Sequence, residues 1–144
     1  MPFRFNMQKA LDYREQLEEE AKMRLAKAES DLRKGEERLE KLKREFQTEQ
    51  EAAAGKLMSN SELWLHDQYI KGLRQDIAEA AMQTRMLRQI AEEARRNLAQ
   101  RSIDKKLLEK LKERKKRQYH QAELKQEQYF NDEIATIRYK APAV

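Results

Sequence analysis

The sequence predicts an all-α protein, a long two-helix antiparallel coiled coil whose C-terminal helix overhangs its partner. Ala, Leu, Glu, Lys and Arg make up 84 of the 144 residues, and a share above about half in these five types is typical of coiled coils. The only prolines are Pro2 and Pro142, so no proline interrupts residues 3–141. Apolar residues also recur in heptads, which indicates a left-handed supercoil.

The composition argues against several other classes of protein. Hydrophobic residues are 39% of the chain, which is too few for a globular core. Charged residues are 40% of it, which is too many. There is no cysteine, and hence no disulfide framework or thiolate metal site. The start, MPFRFNMQKAL, lacks the apolar core of a signal peptide. No apolar run approaches the roughly 20 residues that span a bilayer. We therefore expect a single cytoplasmic domain over residues 1–144.

Helix 1 is expected over about residues 4–54, where the heptads define one contact seam with two rows. The first row is Leu11, Glu18, Leu25, Leu32, Leu39, Phe46 and Ala53. The second row is Arg14, Ala21, Ala28, Gly35, Leu42 and Glu49. The small residues in the second row would let two helix backbones approach closely.

Residues 55–59 carry the signals of a turn. Gly55 suits the position after a helix, where the backbone turns left-handed. Ser59 and Glu62 have capping-box spacing, and Met58 and Leu63 flank them as a hydrophobic staple would. Helix 2 is expected over about residues 60–138, and so short a turn requires antiparallel packing. Its seam rows are Leu63, Ile70, Ile77, Thr84, Ala91 and Leu98, and His66, Leu73, Ala80, Leu87, Ala94, Arg101 and Leu108.

The register follows from the turn, because the numbers of facing residues in a hairpin have a constant sum. That sum is about 119 or about 112 from the turn geometry. We favour the larger value, which places Leu11 opposite Leu108, Leu32 opposite Leu87, and Glu18 opposite Arg101. Helix 1 then ends opposite residues of about 108–116, and the rest of helix 2 has no partner within the chain.

The overhang begins where the positive charge is concentrated. Residues 105–117 hold eight basic and two acidic side chains, and Phe130, Ile134 and Ile137 follow at helical spacing. One interpretation is a solvated basic stretch with a disordered tail. Another is a plug for a cavity in a partner protein. A third is a nucleic-acid-binding helix, which we rank below a protein partner because no Asn or Gln is interleaved at base-reading spacing.

No catalytic, cofactor or metal site is predicted, so the chain is not expected to be an enzyme. The three glycines, Gly35, Gly55 and Gly72, form no phosphate-binding loop. The two histidines, His66 and His120, have no further ligands at metal-binding spacing. Trp64, near the turn, is expected to pack in the core or at the tip of the hairpin rather than to contact a cofactor.

The N-terminal string FRFNMQKALDYREQLEEEA, residues 3–21, resembles the opening of the FliJ family. LEKLKER at 108–114 and DEIATIR at 132–138 extend the resemblance, which covers essentially the whole chain. These are small coiled-coil proteins of the flagellar type III export apparatus. The stalk proteins of virulence-type secretion systems are the alternative, and the pattern FRF followed by LDYRE favours the flagellar one.

The resemblance implies a non-enzymatic export component that acts in flagellum assembly, and so in motility and chemotaxis. Proteins of this family are similar in shape to the central stalk of rotary ATPases. They insert the paired ends of the hairpin into the export ATPase hexamer, contact the cytosolic domain of the export gate, and handle export chaperones. The implied location is the cytoplasm, peripheral to the inner membrane through these partners, with no nucleic acid and no cofactor.

The resemblance also implies two groups of binding residues. The export gate would contact Tyr69, Ile70 and Leu73, although Ile70 and Leu73 are also seam residues. The ATPase-binding residues would be Phe3, Arg4, Phe5, Lys112, Arg114, Lys115, Lys116, Arg117, Phe130, Ile134 and Ile137.

Overall fold

The protein, in a computed structural model that describes residues 2–140, consists of two long helices packed against each other. Helix α1 is Gln8–Ala53, with 46 residues, and helix α2 is Asn60–Lys140, with 81 residues. All regular secondary structure within residues 2–140 is helical. The predicted all-α helical hairpin is therefore confirmed.

The contacts between the helices fall into two units. The turn unit is Glu19–Gln100, and the terminal unit combines the residues up to Glu18 with those from Arg101 onward. The single domain predicted over residues 1–144 stays a prediction. Residues in a two-helix packing contact mainly the neighbouring turns, so compact units of this kind form along one hairpin.

In each unit the buried residues lie on the predicted seam. Of the described residues, those that are buried are Leu11 and Glu18 in the terminal unit, and Ala21, Ala28, Ile70, Leu73, Ala80, Thr84 and Ala91 in the turn unit. Apart from Leu11, the seam leucines of α1, such as Leu25 and Leu39, are only half-buried. Two helices leave the sides of a seam open, so mainly small side chains are fully covered. The Thr84 hydroxyl satisfies itself by donating a 2.7 Å hydrogen bond to the Ala80 carbonyl.

The two helices approach each other closely at Gly35. A Cβ atom at this position would lie 2.9 Å from Leu87 Cδ1 and 3.4 Å from Thr84 Oγ1. Gly35 thus faces Thr84, as the favoured register requires, whereas the alternative register would place it opposite Ile77. Two ion pairs between the helices follow the same antiparallel order. Glu29 lies 3.5 Å from Arg95, and Glu36 lies 3.6 Å from Arg88.

The turn between the helices is built as its residues predict. Gly55 has a φ of 79°, the left-handed conformation that ends a helix, and the Lys56 N–H donates to the Ala53 carbonyl at 3.4 Å. Ser59 then caps α2, since its Oγ accepts the Glu62 N–H at 3.3 Å and its carbonyl accepts the Leu63 N–H at 2.9 Å.

Helix α1 begins at Gln8 and not at about residue 4. The Gln8 N–H donates to the Phe5 carbonyl at 3.1 Å, and the Leu11 N–H to the Met7 carbonyl at 2.9 Å, so the first helical bond starts at Met7. Residues 2–7 are thus non-helical, and the Phe3 ring contacts Tyr119 of α2.

One chemical change, Gly to Ala, should have opposite effects at two glycines. Gly72→Ala should raise the free energy of unfolding by about 0.5–1 kcal/mol, since Gly72 is helical and, apart from its chain neighbours and the nearby helix backbone, no atom lies within 4 Å of the position that its methyl group would occupy. Gly55→Ala should lower it by about 1–2 kcal/mol because of its positive φ. Urea unfolding followed by circular dichroism measures both, and effects of the same sign would contradict this description of the turn.

Candidate functional site

An apolar groove lies in the terminal unit, between the N-terminal segment and α2. Its volume is about 600 Å³. The ring centroids of Phe3 and Tyr119 are 5.7 Å apart at one end of it. The lining residues are Phe3, Arg4, Phe5, Asn6, Met7, Leu111, Lys115 and Tyr119. The two phenylalanines are half-buried, while Arg4 and Lys115 are exposed, so the groove is apolar inside with basic residues among its lining.

Burial and a neighbouring carboxylate both raise the pKa of Tyr119 at this groove. Burial of the ring raises the pKa of the Tyr119 phenol, and the hydrogen bond to Glu123 raises it further. Glu123 also lies 3.7 Å from His120 Nδ1. The phenol therefore keeps its proton at neutral pH and donates a hydrogen bond to Glu123.

An ion-pair cluster stabilises the same unit below the groove. Lys105 Nζ donates to Glu18 at 2.9 Å and lies 3.8 Å from Glu109, and Arg14 lies 3.4 Å from Asp104. Glu18, which the favoured register places opposite Arg101, thus pairs with Lys105, one helical turn farther on. The hydrogen bond to Glu18 is the main cause that raises the pKa of Lys105, and burial opposes it.

The basic run continues from this cluster past the groove. Lys112 is half-buried, whereas Arg114, Lys115, Lys116 and Arg117 are exposed. Arg117 has a carboxylate neighbour at 3.8 Å on its own helix, Glu113. Most of the positive charge of residues 105–117 is therefore accessible to a partner.

Helix α2 continues to Lys140, far beyond the level of Phe3. Phe130 is 62% and Ile137 64% exposed, and Ile134 is half-buried. These three predicted residues lie on one helix face, apart from the groove that unites Phe3, Arg4, Phe5 and Lys115. The predicted ATPase-binding set thus divides into a groove, a basic run and an exposed apolar end of α2.

The three predicted gate-binding residues differ in how far they are buried. Tyr69 is 49% exposed, while Ile70 and Leu73 are buried in the seam of the turn unit. Tyr69 borders a groove of about 550 Å³ next to the turn, together with Glu49, Glu62 and His66. Of the three residues, Tyr69 is the one that a partner can reach without opening the helix pair.

Sequence reasoning missed two features of these surfaces. Tyr119 and Leu111 complete the groove, and the aromatic side chain at the end of the predicted basic run was the available signal for the first. Near the turn, Trp64 is 62% exposed and so is not packed in the core, one of the two placements expected for it. Three consecutive apolar residues, Leu63, Trp64 and Leu65, point in different directions from a helix, and that spacing could have indicated exposure.

Comparison with known families identifies the chain. The family model FliJ, described as the flagellar FliJ protein, matches residues 3–143. The chain belongs to the FliJ family. Among curated proteins and among solved structures, nothing matches it significantly.

As a FliJ-family member, the protein is a component of flagellar-type protein export. The family is one of structural export components and not of known enzymes. Within residues 2–140, no helix is sufficiently long and apolar to cross a membrane. The same part of the chain contains no group of three or more His, Asp or Glu side chains placed to hold a metal ion.

The Lys105–Glu18 pair gives the FliJ-family chain a pH dependence at the alkaline end. Because the folded-state pKa of Lys105 is raised above 10.5, the pair stabilises the fold fully below that pH. The stabilisation is lost as pH rises through the folded-state pKa. Glu18→Gln should therefore reduce stability at neutral pH, and its difference from the unaltered chain should shrink in the alkaline range above about pH 10.5. Urea unfolding across that range measures this, and a constant difference would contradict it.

Proposed function

We propose that this FliJ-family protein is a stalk that binds the export ATPase hexamer through its terminal unit and the cytosolic domain of the export gate through its turn unit. The observation that supports the first contact is the exposed end of α2, where a basic run is followed by apolar side chains with high exposure. The ATPase carries out the chemistry. The stalk supplies binding energy that favours ring assembly and couples the ring to the gate.

The charge of the terminal unit defines the partner surface that fits it. Eight basic and two acidic side chains in residues 105–117 favour a hole lined by carboxylates or polar groups. Beyond it, Phe130 and Ile137 would be covered by apolar groups of the partner. Electrostatic attraction guides the approach, while burial of the apolar side chains provides most of the affinity.

Individual residues would contribute in different ways. Arg4, Arg114, Lys116 and Arg117 are exposed and can pair with partner carboxylates directly. Phe3 and Phe5, in contrast, are half-buried against α2 and would shape the surface more than contact the partner.

Tyr69 is the residue that we propose for the gate contact. A half-exposed tyrosine offers an aromatic face and a hydroxyl, the combination that is enriched at the centres of protein interfaces. Ile70 and Leu73 support this contact from the seam, where they fix the helix that carries Tyr69. Export chaperones are further proposed partners. The proposed location is the cytoplasm, at the cytoplasmic face of the inner membrane and held there by these partners.

Reversal of the exposed basic charges tests the ATPase contact. Changing Arg114, Lys115, Lys116 and Arg117 to Glu should leave the helix content intact and weaken ATPase binding by at least about tenfold, because four favourable charges become repulsive. Truncation after residue 118 should also weaken binding by removing Phe130 and Ile137. Co-sedimentation with the ATPase and stimulation of ATP hydrolysis are the measurements.

The matched control reverses four exposed basic residues of the turn unit, Arg33, Lys34, Arg38 and Lys41, with the same change in net charge. It should bind the ATPase much more strongly than the terminal variant. If the control and terminal variants lose binding equally, net charge and not the terminal unit determines the interaction, and the proposed contact is wrong.

A second test addresses the gate. Tyr69→Ala should reduce binding to the cytosolic domain of the gate while ATPase stimulation stays unchanged, because Tyr69 belongs to the turn unit. Tyr13→Ala, at another exposed tyrosine, is the control and should not alter gate binding. Titration calorimetry measures both. Loss of ATPase stimulation by Tyr69→Ala alone would mean that the two ends have been assigned to the wrong partners.

A further inference from the structure

The turn end, defined here as residues 49–69, exposes apolar side chains that neither proposed contact accounts for. Leu57 is fully exposed at 104% and Trp64 is 62% exposed. Leu63 and Leu65, on either side of Trp64, are exposed as well. Successive helical residues point about 100° apart, so these three side chains surround the first turn of α2. A partner that lies along one face of the tip therefore covers some of them and leaves the others in solvent.

The turn end is also acidic. It contains four carboxylates, Glu49, Glu51, Glu62 and Asp67, and a single basic side chain, Lys56. All are exposed except Glu49, which is half-buried and lies 3.6 Å from His66 Nδ1. The turn end is therefore an apolar knob with a negatively charged collar.

The groove of the terminal unit has the complementary properties. It is a cavity of about 600 Å³ with Phe5, Met7 and Leu111 in its lining. Its exposed charged residues are Arg4 and Lys115, and Lys115 belongs to the basic run of residues 105–117. An apolar knob with an acidic collar and an apolar groove with a basic border thus occur in the same chain.

We propose that the turn end of one copy of this protein docks into the terminal groove of a second copy. Leu57 and Trp64 of the first copy would enter the groove, while Glu62 and Asp67 would face Arg4 and Lys115 of the second. The contact is heterologous, since it joins two different surfaces, and every copy carries both of them. The apolar part supplies affinity and the opposite charges supply orientation.

Charge favours a second copy over a lipid surface as the occupant. Exposed Leu and Trp side chains also suit a bilayer interface. Four carboxylates around the knob, however, would be repelled by anionic lipid headgroups, whereas they are attracted by a basic groove.

This contact would occupy the groove that, in the proposed function, belongs to the surface for the ATPase. Self-association would then keep the terminal unit unavailable until the ATPase competes for it. That consequence rests on the proposed function, but the self-association itself does not.

The single tryptophan of the chain, Trp64, makes the test direct. In the purified full-length protein with no partner present, its fluorescence should shift to shorter wavelength as protein concentration rises, since the ring leaves water. Sedimentation velocity should show a parallel rise in mass. The apparent Kd should increase by on the order of tenfold between about 50 mM and about 500 mM salt, because screening weakens the charge pairs. A concentration-independent spectrum and mass would overturn the proposal.

Two complementary variants test the direction of docking. The knob variant carries Leu57→Ser and Trp64→Ser, and the groove variant carries Arg4→Glu and Lys115→Glu. Each alone should be monomeric. Mixed, they should form a dimer, because the groove variant keeps the knob and the knob variant keeps the groove. Trp64 of the groove variant should shift to shorter wavelength only in that mixture.

Other outcomes would contradict this arrangement. A knob variant that still associates, or a mixture that stays monomeric, would exclude the knob-in-groove contact. The control variant, Leu124→Ser with Tyr129→Ser, removes equally exposed apolar groups outside both surfaces and should associate normally. If anionic phospholipid vesicles shift Trp64 fluorescence at concentrations where the protein is monomeric, the knob binds lipid and the proposal is wrong. Because the ATPase is absent from these measurements, their failure leaves the proposed function untouched, and failure of ATPase binding leaves them untouched.

Discussion

The single seam between two helices is the constraint on which the rest of the structure depends. Each helix can cover only one side of the other, so the described residues that reach full burial are few and mostly small. Large apolar groups at Trp64, Phe130 and Ile137 have no position inside such a packing. The side chains that can bind partners therefore lie on the surface. The turn end and the terminal unit differ in charge and in the kind of apolar group that they expose.

The sequence was sufficient to predict this seam. Heptad spacing identified all the buried positions among the described residues, because a period of 3.5 leaves only one face for a partner helix. The turn was also predictable, since Gly55 acts through its left-handed backbone conformation and Ser59 through the hydrogen bonds that cap α2. Local chemistry of this kind is visible in the sequence without knowledge of the rest of the chain.

The features that the sequence did not predict depend on how far a side chain or the N-terminal segment extends. The numbering of facing residues gives the level of a backbone, but a lysine extends over a full turn, and so Glu18 pairs with Lys105. Likewise, composition does not show that residues 2–7 are non-helical and lie against α2, because the helix propensities of FRFNM do not exclude a helix. The groove at Tyr119 follows from that segment and was hidden for the same reason. Burial of Ile70 and Leu73, in contrast, follows directly from their place on the seam.

The close approach of the helices at Gly35 has a mechanical consequence for the turn unit. Leu87 extends toward the position that a side chain would occupy, with its Cδ1 only 2.9 Å from a Cβ there. If α1 were pulled along its own axis, the Leu87 side chain would clash with the larger neighbours of Gly35, such as Leu32 or Leu39, before a new register could form. The interlocked pair thus resists shear between the helices, and a load applied to one helix of the hairpin in this unit is shared by the other.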